Sequence, residues 1–467
     1  MNQIKKNYIY NVLYQIIVII LPFVTVPYVS RTIGVEGVGT YSYTYSIVYY
    51  FILISMLGIS NYGTREIAKF RDDKKELSIK FFSIYKLQLI MSFLMIISYL
   101  LYVFIFDVAY KDIAVIQVIY LFASIFDITW LFFGLEKFKI TVSRNILIKL
   151  LSFILILLLV KDSEDTWVYT VILSASTLIS RFIFWFMAKK YIIIEYAKFA
   201  RIKGHVREII ILFIPVIAYS IYKVMDKIML GSMIDVTEVG YYENADKLIN
   251  MPVSLITALG TVMLPRMAHI IHNNKNNQMN EYINNSIRFI TFLVLPIVFG
   301  FVSIGRDFSE IFFGKEFYKT GTIILILAPT IVFVAIANVI RTQYLIPKNN
   351  NKIYVISTIC GAVINLIINL LLIPKYGSYG AAVGTIFAEF SVMMYQVIAI
   401  RKEIPVRNYI KLSFDFLVSS IIMYAIITCV DLLQLNQIYG LILKVLLGIG
   451  VYLLLNAKYI YKNIVKN

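Results

Sequence analysis

The sequence has few of the charges and cysteines that soluble or secreted proteins rely on. Only 15% of its 467 residues are charged, against about a quarter in an average soluble domain, whereas 60% are hydrophobic. This balance excludes a string of ordinary water-soluble domains. Its two cysteines, Cys360 and Cys429, both fall within apolar stretches, so we do not expect a disulfide framework.

Motifs for ATP hydrolysis and covalent catalysis are also missing. The sequence contains no Walker-type glycine loop, no G-x-S-x-G elbow and no paired catalytic carboxylates. One metal-like spacing occurs, His269-x-x-His272, but asparagines and a lysine follow it, without further ligand types nearby. We interpret this segment as a solvated loop and predict that the protein is not an enzyme and has no resident cofactor or metal.

Long apolar stretches are what the sequence does contain, and each can cross a bilayer as a helix. We predict an all-α polytopic membrane protein with about 14 transmembrane helices. The predicted spans are residues 8–30, 40–60, 81–106, 113–133, 146–160, 167–188, 209–231, 241–264, 289–312, 321–345, 353–373, 379–400, 412–430 and 438–457.

The basic residues between the spans predict the orientation. Lys and Arg number 44 against 27 Asp and Glu, and most of them fall in every second connection, counted from the N-terminus. Basic residues remain on the cytoplasmic side of a membrane. We therefore predict a multi-pass membrane protein with both termini in the cytoplasm. The same placement explains the net charge of +17 without a nucleic-acid partner.

A short repeat indicates internal duplication. The pattern V-x-x-V-G-x-Y occurs at Val35–Tyr41 and again at Val236–Tyr242, six predicted spans later. An even number of spans gives both copies the same direction in the membrane, as in parallel transporter repeats. We predict two six-helix lobes, residues 1–205 and 206–405, followed by an extra helix pair at 406–467.

Several stretches resemble a known transporter family. The residues that carry the likeness are Pro27–Gly39 (PYVSRTIGVEGVG), Trp130–Glu136 (WLFFGLE), Val239–Tyr242 (VGYY), Pro265–Arg266 and Tyr379–Ala382 (YGAA). In this order they are similar to the Wzx-type polysaccharide flippases of the multidrug/oligosaccharidyl-lipid/polysaccharide exporter superfamily. The resemblance runs along the whole chain, and Ile33 stands where leucine is more usual.

The resemblance implies an activity and its partners. Such a flippase moves an undecaprenyl-diphosphate-linked oligosaccharide from the inner to the outer leaflet by alternating access, for capsule, O-antigen or exopolysaccharide synthesis. Membrane lipid and a polysaccharide polymerase are its expected partners, and the extra helix pair is expected to bracket the polyprenyl tail. Three alternatives remain open: a lipid II flippase, a cation-coupled multidrug antiporter and a membrane glycosyltransferase or polymerase. The antiporters resemble one another in a carboxylate of the first helix, which Tyr8–Val29 lacks.

Ionisable side chains inside the predicted spans are the candidate site. Each costs about 2.5 to 3.5 kcal/mol at a helix centre, so such residues are rarely without a role. Span 7 contains Lys223, Asp226 and Lys227 on one face, and span 8 contains Asp246 and Lys247 at a similar depth. Two interpretations stay open: a salt-bridge cluster that joins the spans, or a cationic cavity wall in which Lys223 or Lys227 meets the diphosphate.

Four further charges complete the candidate set. Arg31 ends span 1 within the family-like motif, and we predict that it lines the cavity together with Arg181 of span 6. Asp127 of span 4 lies at the depth of Arg181, so the two are alternatively an ion pair within one lobe. Glu389 lies near the middle of span 12. Glu389 and Asp127 are our candidates for coupling transport to a proton or sodium gradient, with a structural role as the alternative.

Overall fold

The computed structural model describes residues 3–106, 108–199, 201–202, 204–273, 276–404 and 407–461. These residues form helices and turns, without a strand. The helices are α1 (Gln3–Met56), α2 (Ile59–Lys69), α3 (Lys74–Ile105), α4 (Lys111–Ile125), α5 (Thr129–Gly134), α6 (Phe138–Leu159), α7 (Thr166–Ala188), α8 (Val206–Met233), α9 (Val236–His272), α10 (Asn276–Phe313), α11 (Tyr318–Leu327), α12 (Thr330–Ile340), α13 (Asn351–Tyr376), α14 (Ser378–Ile400), α15 (Arg407–Cys429), α16 (Gln437–Leu455) and α17 (Ala457–Ile460).

The helices confirm the prediction of an all-α multi-pass protein. Ten helical segments of the described chain are long and apolar enough to cross a membrane, and twelve are when each of two bent helix pairs counts as one span. Every predicted span falls on a helix. The count of twelve is two below the predicted 14, for two reasons. Helix α1 contains the first two predicted spans, and α6, which contains the fifth, is not among the segments counted.

Helix α1 is kinked where the sequence predicts a turn. The kink is at Gly34, whose φ of 68° and ψ of −177° leave helical geometry. A side chain at this φ would be strained, whereas glycine adopts it readily. The two predicted spans therefore follow each other with a break in helical geometry at Gly34. The first of them also contains Pro22 and Pro27.

The chain divides into two compact units, residues 1–220 and 221–467, and the division falls inside α8. The predicted domains, 1–205, 206–405 and 406–467, stay a prediction. The aromatic core of unit 1 brings α5 against α3 and α7: the Trp130 ring stacks on Phe81 at 5.2 Å, and the Phe132 ring stacks on Phe184 at 4.5 Å. Such contacts fix the short α4–α5 connection that carries Asp127.

In unit 2 the helices α13 and α14 form a tight hairpin. A Cβ atom added to Gly380 would lie 2.6 Å from the backbone of Leu372, so only glycine permits this approach. A second core joins α10, α15 and α16 through Phe292, Phe416 and Tyr452. The hairpin matters for function because it holds Asn369, Thr385 and Glu389 beside α8.

Large apolar side chains cover much of the outside of the helices. Leu371 on α13, Leu446 on α16 and Phe186 on α7 are all more than 60% exposed. Exposed apolar surface on this scale is destabilising in water and favourable in lipid. It agrees with the hydropathy of the same helices and with a membrane location.

Candidate functional site

Three lysines of unit 2 each lie against a carboxylate inside the predicted spans. Lys223 Nζ of α8 is 2.9 Å from Oε1 of Glu389 on α14, and the Glu389 side chain is only 4% exposed. Lys227, one turn along α8, is 2.5 Å from Glu243 and 3.4 Å from Asp246, both on α9. The salt-bridge interpretation therefore describes these contacts well.

Lys247 continues the same cluster along α9. Its Nζ is 3.1 Å from Oε1 of Glu243, at the i,i+4 spacing that favours ion pairs on a helix. Asn250 donates to Asp246 Oδ1 at 2.7 Å. Glu243 thus contacts two lysines. Sequence reasoning missed it, although its spacing from Lys247 is the signal that could have revealed it.

Asp226 forms the buried centre of the site. Its side chain accepts hydrogen bonds from the Tyr242 hydroxyl of α9 at 2.6 Å, from Asn369 of α13 at 2.6 Å and from Thr385 of α14 at 2.7 Å. The residue is 1% exposed. A carboxylate can be kept in such a place only when donors replace its water. Asp226 is therefore suited to joining four helices and poorly placed to contact a large substrate directly.

The charges of these ion pairs balance. Lys223, Lys227 and Lys247 contact the carboxylates of Glu243, Asp246 and Glu389, three positive charges against three negative ones. An incoming anion must therefore compete with a carboxylate for each ammonium group.

Unit 1 contains a separate pair, Asp127 and Arg181. Their side chains are 3.2 Å apart, and Arg181 also donates to Thr129 Oγ1 at 3.1 Å. Thr129 donates in turn to Asp127, both from its backbone N–H and from its hydroxyl. The ion pair within one lobe is thus present. The proposed cavity and coupling roles of these residues stay predictions, as does that of Arg31, which lies exposed on α1 ahead of the Gly34 kink.

An apolar cavity of about 360 Å³ lies between α10, α15 and α16 of unit 2. Phe292, Pro296, Gly300 and Met423 are among its lining residues. Lys444 also lines it, and is 2.9 Å from Asp307 and 2.6 Å from Asp431. The cavity is chemically suited to a hydrocarbon chain. It involves both helices of the predicted extra pair.

A histidine outside the spans lies buried in unit 1. His205 is 8% exposed, and its Nδ1 lies 2.5 Å from the Tyr62 hydroxyl. Burial, followed by the nearby charge of Lys80, lowers the pKa of His205 below its ordinary 6.5, while Glu66 and Glu208 oppose the shift. Because the pKa of His205 is lower in the folded protein than in the unfolded chain, the unfolded chain binds more protons as the pH falls through about 6.5.

We therefore expect the unfolding temperature to decrease as the pH falls through this range, and to level off below the folded-state pKa. The measurement is a series of thermal unfolding curves of the purified protein between about pH 8 and pH 5. The variant His205→Gln keeps a hydrogen-bonding side chain without a titrating group and should flatten the curve. An identical pH dependence in both proteins would contradict the prediction.

Comparison with known proteins agrees with this architecture. The family described as "Polysaccharide biosynthesis protein" matches residues 4–271, which is more than half of the chain. A candidate O-antigen transporter of Shigella dysenteriae is 26% identical over 391 residues, covering 82% of this chain and 96% of the relative. The lipid II flippase MurJ of Bacillus subtilis is 28% identical over 160 residues, which cover 34% of this chain and 29% of that protein.

A solved structure shares the fold over nearly its full length. It is the lipid II flippase MurJ in an inward closed conformation, with a TM-score of 0.77 and 18% sequence identity, and the match covers 98% of this chain and 99% of that one. The helix order, the membrane-spanning composition and the family match lead to one conclusion: the chain belongs to the polysaccharide biosynthesis protein family of multi-pass membrane flippases and transporters.

Proposed function

We propose that this protein translocates an undecaprenyl-diphosphate-linked oligosaccharide from the inner to the outer leaflet, by alternating access, for capsule, O-antigen or exopolysaccharide synthesis. The observation that carries the proposal is the similarity to a candidate O-antigen transporter over 96% of that relative's length. A polysaccharide polymerase is the expected downstream partner, and the cytoplasmic membrane the expected location.

The ion pairs of unit 2 suggest how an anion is carried. Diphosphate oxygens are strong acceptors for ammonium donors, and such pairs gain strength away from bulk water. In the proposal the diphosphate displaces Glu389 from Lys223, or Glu243 from Lys227. The displaced carboxylate then takes up a proton or sodium ion, which couples the step to a gradient. The apolar cavity between α10, α15 and α16 accommodates part of the polyprenyl tail.

A lipid II flippase is the second candidate. It is supported by the sequence match to the B. subtilis flippase, and its substrate shares the diphosphate and the polyprenyl chain with the first candidate. The shorter extent of that match makes it the weaker of the two. Both candidates use the same chemistry at the site and differ only in the glycan.

Proteoliposomes with two lipid substrates distinguish the candidates. Purified protein is reconstituted with an undecaprenyl-diphosphate tetrasaccharide or with lipid II, and the lipid reaching the opposite leaflet is labelled enzymatically. We expect the tetrasaccharide lipid to cross at least tenfold faster than in protein-free vesicles and faster than lipid II. Preferential movement of lipid II would favour the second candidate. Movement of neither would reject both.

A further inference from the structure

Tyrosine rings form a continuous row inside unit 1. Tyr41, Tyr45 and Tyr49 follow each other at i,i+4 spacing on the second arm of α1, with ring centroids 5.8 and 6.4 Å apart. The Tyr120 ring of α4 forms a T-shaped contact with the Tyr45 ring at 5.1 Å, and the Tyr169 ring of α7 forms one with the Tyr41 ring at 5.0 Å. We call these five residues the tyrosine ladder.

The ladder reaches too deep to be an interfacial belt. Tyrosines anchor helices at the membrane–water interface, where one end of the ring is wet. Counted from the predicted start of the second span at residue 40, Tyr45 lies about 8 Å and Tyr49 about 14 Å along the helix. Anchoring at the membrane–water interface can therefore explain the position of Tyr41, but not the positions of Tyr45 and Tyr49. The inner rings need another explanation.

Hydrophobic packing alone does not explain the ladder either. Phenylalanine would fill the same space without bringing hydroxyl groups into the membrane interior, where an unpaired one is costly. The Tyr41 and Tyr120 hydroxyls pair with each other at 2.8 Å. The rings of Tyr41, Tyr45 and Tyr49 are only half-buried, so part of each ring is open to a neighbouring molecule.

A buried amide beside the ladder points to a ligand. Gln117 of α4 is fully buried, and its Nε2 donates to the backbone carbonyl of Tyr41 at 3.2 Å. Its Oε1 has no hydrogen-bond partner among the described residues. Native proteins leave few buried acceptors unsatisfied, and such an atom marks the place of a missing donor. A sugar hydroxyl is a donor of this kind, but it reaches the fully buried amide only when the side chains around Gln117 move.

We propose that the tyrosine ladder binds the glycan of the transported lipid, by stacking of pyranose rings on Tyr45 and Tyr49 and by hydrogen bonds from sugar hydroxyls near Gln117. This inference rests on the proposed function. A pyranose ring has one face of C–H groups that packs on the electron-rich face of an aromatic ring, while its edge carries hydroxyls. The distance of about 12 Å between Tyr41 and Tyr49 suits two or three sugar residues and not a single one.

Two substrates of different glycan length test the ladder in transport. The probes are undecaprenyl-diphosphate N-acetylglucosamine, with one sugar, and the undecaprenyl-diphosphate tetrasaccharide. The double variant Tyr45→Ala/Tyr49→Ala should lose at least tenfold in tetrasaccharide transport, while its single-sugar transport stays within twofold of the wild type. Tyr45→Phe/Tyr49→Phe keeps the ring faces and should recover most of the loss. Tyr439→Ala, at a 70% exposed position of α16, is the matched control and should move both probes normally.

Equal loss of both probes in the double alanine variant would overturn the proposal, because it would indicate a structural role. Loss of neither would overturn it as well. If the wild type moves neither lipid, the proposed function is rejected. Glycan binding by the ladder is then tested by a second measurement.

That second measurement is saturation-transfer NMR with chitotetraose and maltotetraose on the full chain in lipid nanodiscs. For at least one of these sugars we expect transfer to the pyranose C–H protons that disappears in Tyr45→Ala/Tyr49→Ala and remains in the phenylalanine variant. Absence of transfer to the wild type, or transfer unchanged by the alanine variant, would refute glycan binding whatever the transport assay gives.

Discussion

Replacing Lys223 and Lys227 together by glutamine is expected to abolish glycan export while leaving the protein in the membrane. The two lysines hold three carboxylates of unit 2, and they are the donors that the proposal assigns to the diphosphate. Removing one partner of a buried ion pair costs about 3 to 5 kcal/mol, unless the remaining carboxylate takes up a proton. Export is measured as lipid-linked glycan in the outer leaflet, and protein amount in isolated membranes.

The single pair Lys223 and Glu389 separates substrate binding from structural support. Lys223→Gln leaves a nearly buried carboxylate without its ammonium, whereas Lys223→Gln/Glu389→Gln removes both charges and should restore much of the stability. If Lys223 binds the diphosphate, the double variant is stable and inactive. Full export by the double variant would instead assign the pair a purely structural role.

Lys348→Gln is the matched control for these variants. Lys348 lies 2.7 Å from Glu403, so it too is paired with a carboxylate, but the Glu403 side chain is 53% exposed. Exposed pairs contribute about 0 to 1 kcal/mol. We expect export and protein amount within twofold of the wild type. A loss as large as that of the Lys223 variant would mean that any lost lysine impairs the protein.

Asp226→Ala is expected to be the most destabilising substitution in unit 2. It removes the acceptor shared by Tyr242, Thr385 and Asn369 and leaves a void among four packed helices. The Tyr242 and Thr385 hydroxyls still pair with each other, and Asn369 still donates to Asn365. A buried donor that loses its best acceptor costs about 1 to 3 kcal/mol and the void adds to this, so we expect a loss of about 2 to 5 kcal/mol. Unfolding in mixed micelles or recovery after mild heating measures the effect.

Two further variants define the cause of that loss. Asp226→Asn keeps the volume but replaces one acceptor by a donor, and we expect an intermediate loss of about 1 to 3 kcal/mol. Asp415→Ala removes an exposed carboxylate from α15 and should change stability by no more than about 0.5 kcal/mol. Wild-type stability in Asp226→Ala would show that the hydrogen bonds contribute little.

Hydropathy and charge predicted the fold because the bilayer imposes both signals locally. Every apolar stretch became a helix, since a backbone in lipid must satisfy its own hydrogen bonds. The kink at Gly34 was harder to predict from the sequence. Residues 34–40 combine glycines and polar residues that favour a turn, whereas the chain needs only one residue with positive φ to leave and re-enter helical geometry.

The site could be predicted as a set of residues but not as a set of pairs. Span position identified Lys223 and Glu389, yet nothing in the local sequence connects residues on α8 and α14. Asp226 illustrates the limit further: its neighbours Lys223 and Lys227 suggested a shared charged surface, while its three hydrogen-bond donors come from α9, α13 and α14. Such partners depend on tertiary packing, which periodicity does not encode.

The donors gathered on Asp226 also restrict how this part of the protein can move. Sliding α9, α13 or α14 past α8 by one helical turn, about 5.4 Å, would withdraw a donor from a carboxylate that has no water to replace it. We therefore expect the parts of the four helices around Asp226 to keep their mutual register in any change of conformation. In the proposed transport cycle these parts would move together, as one rigid element.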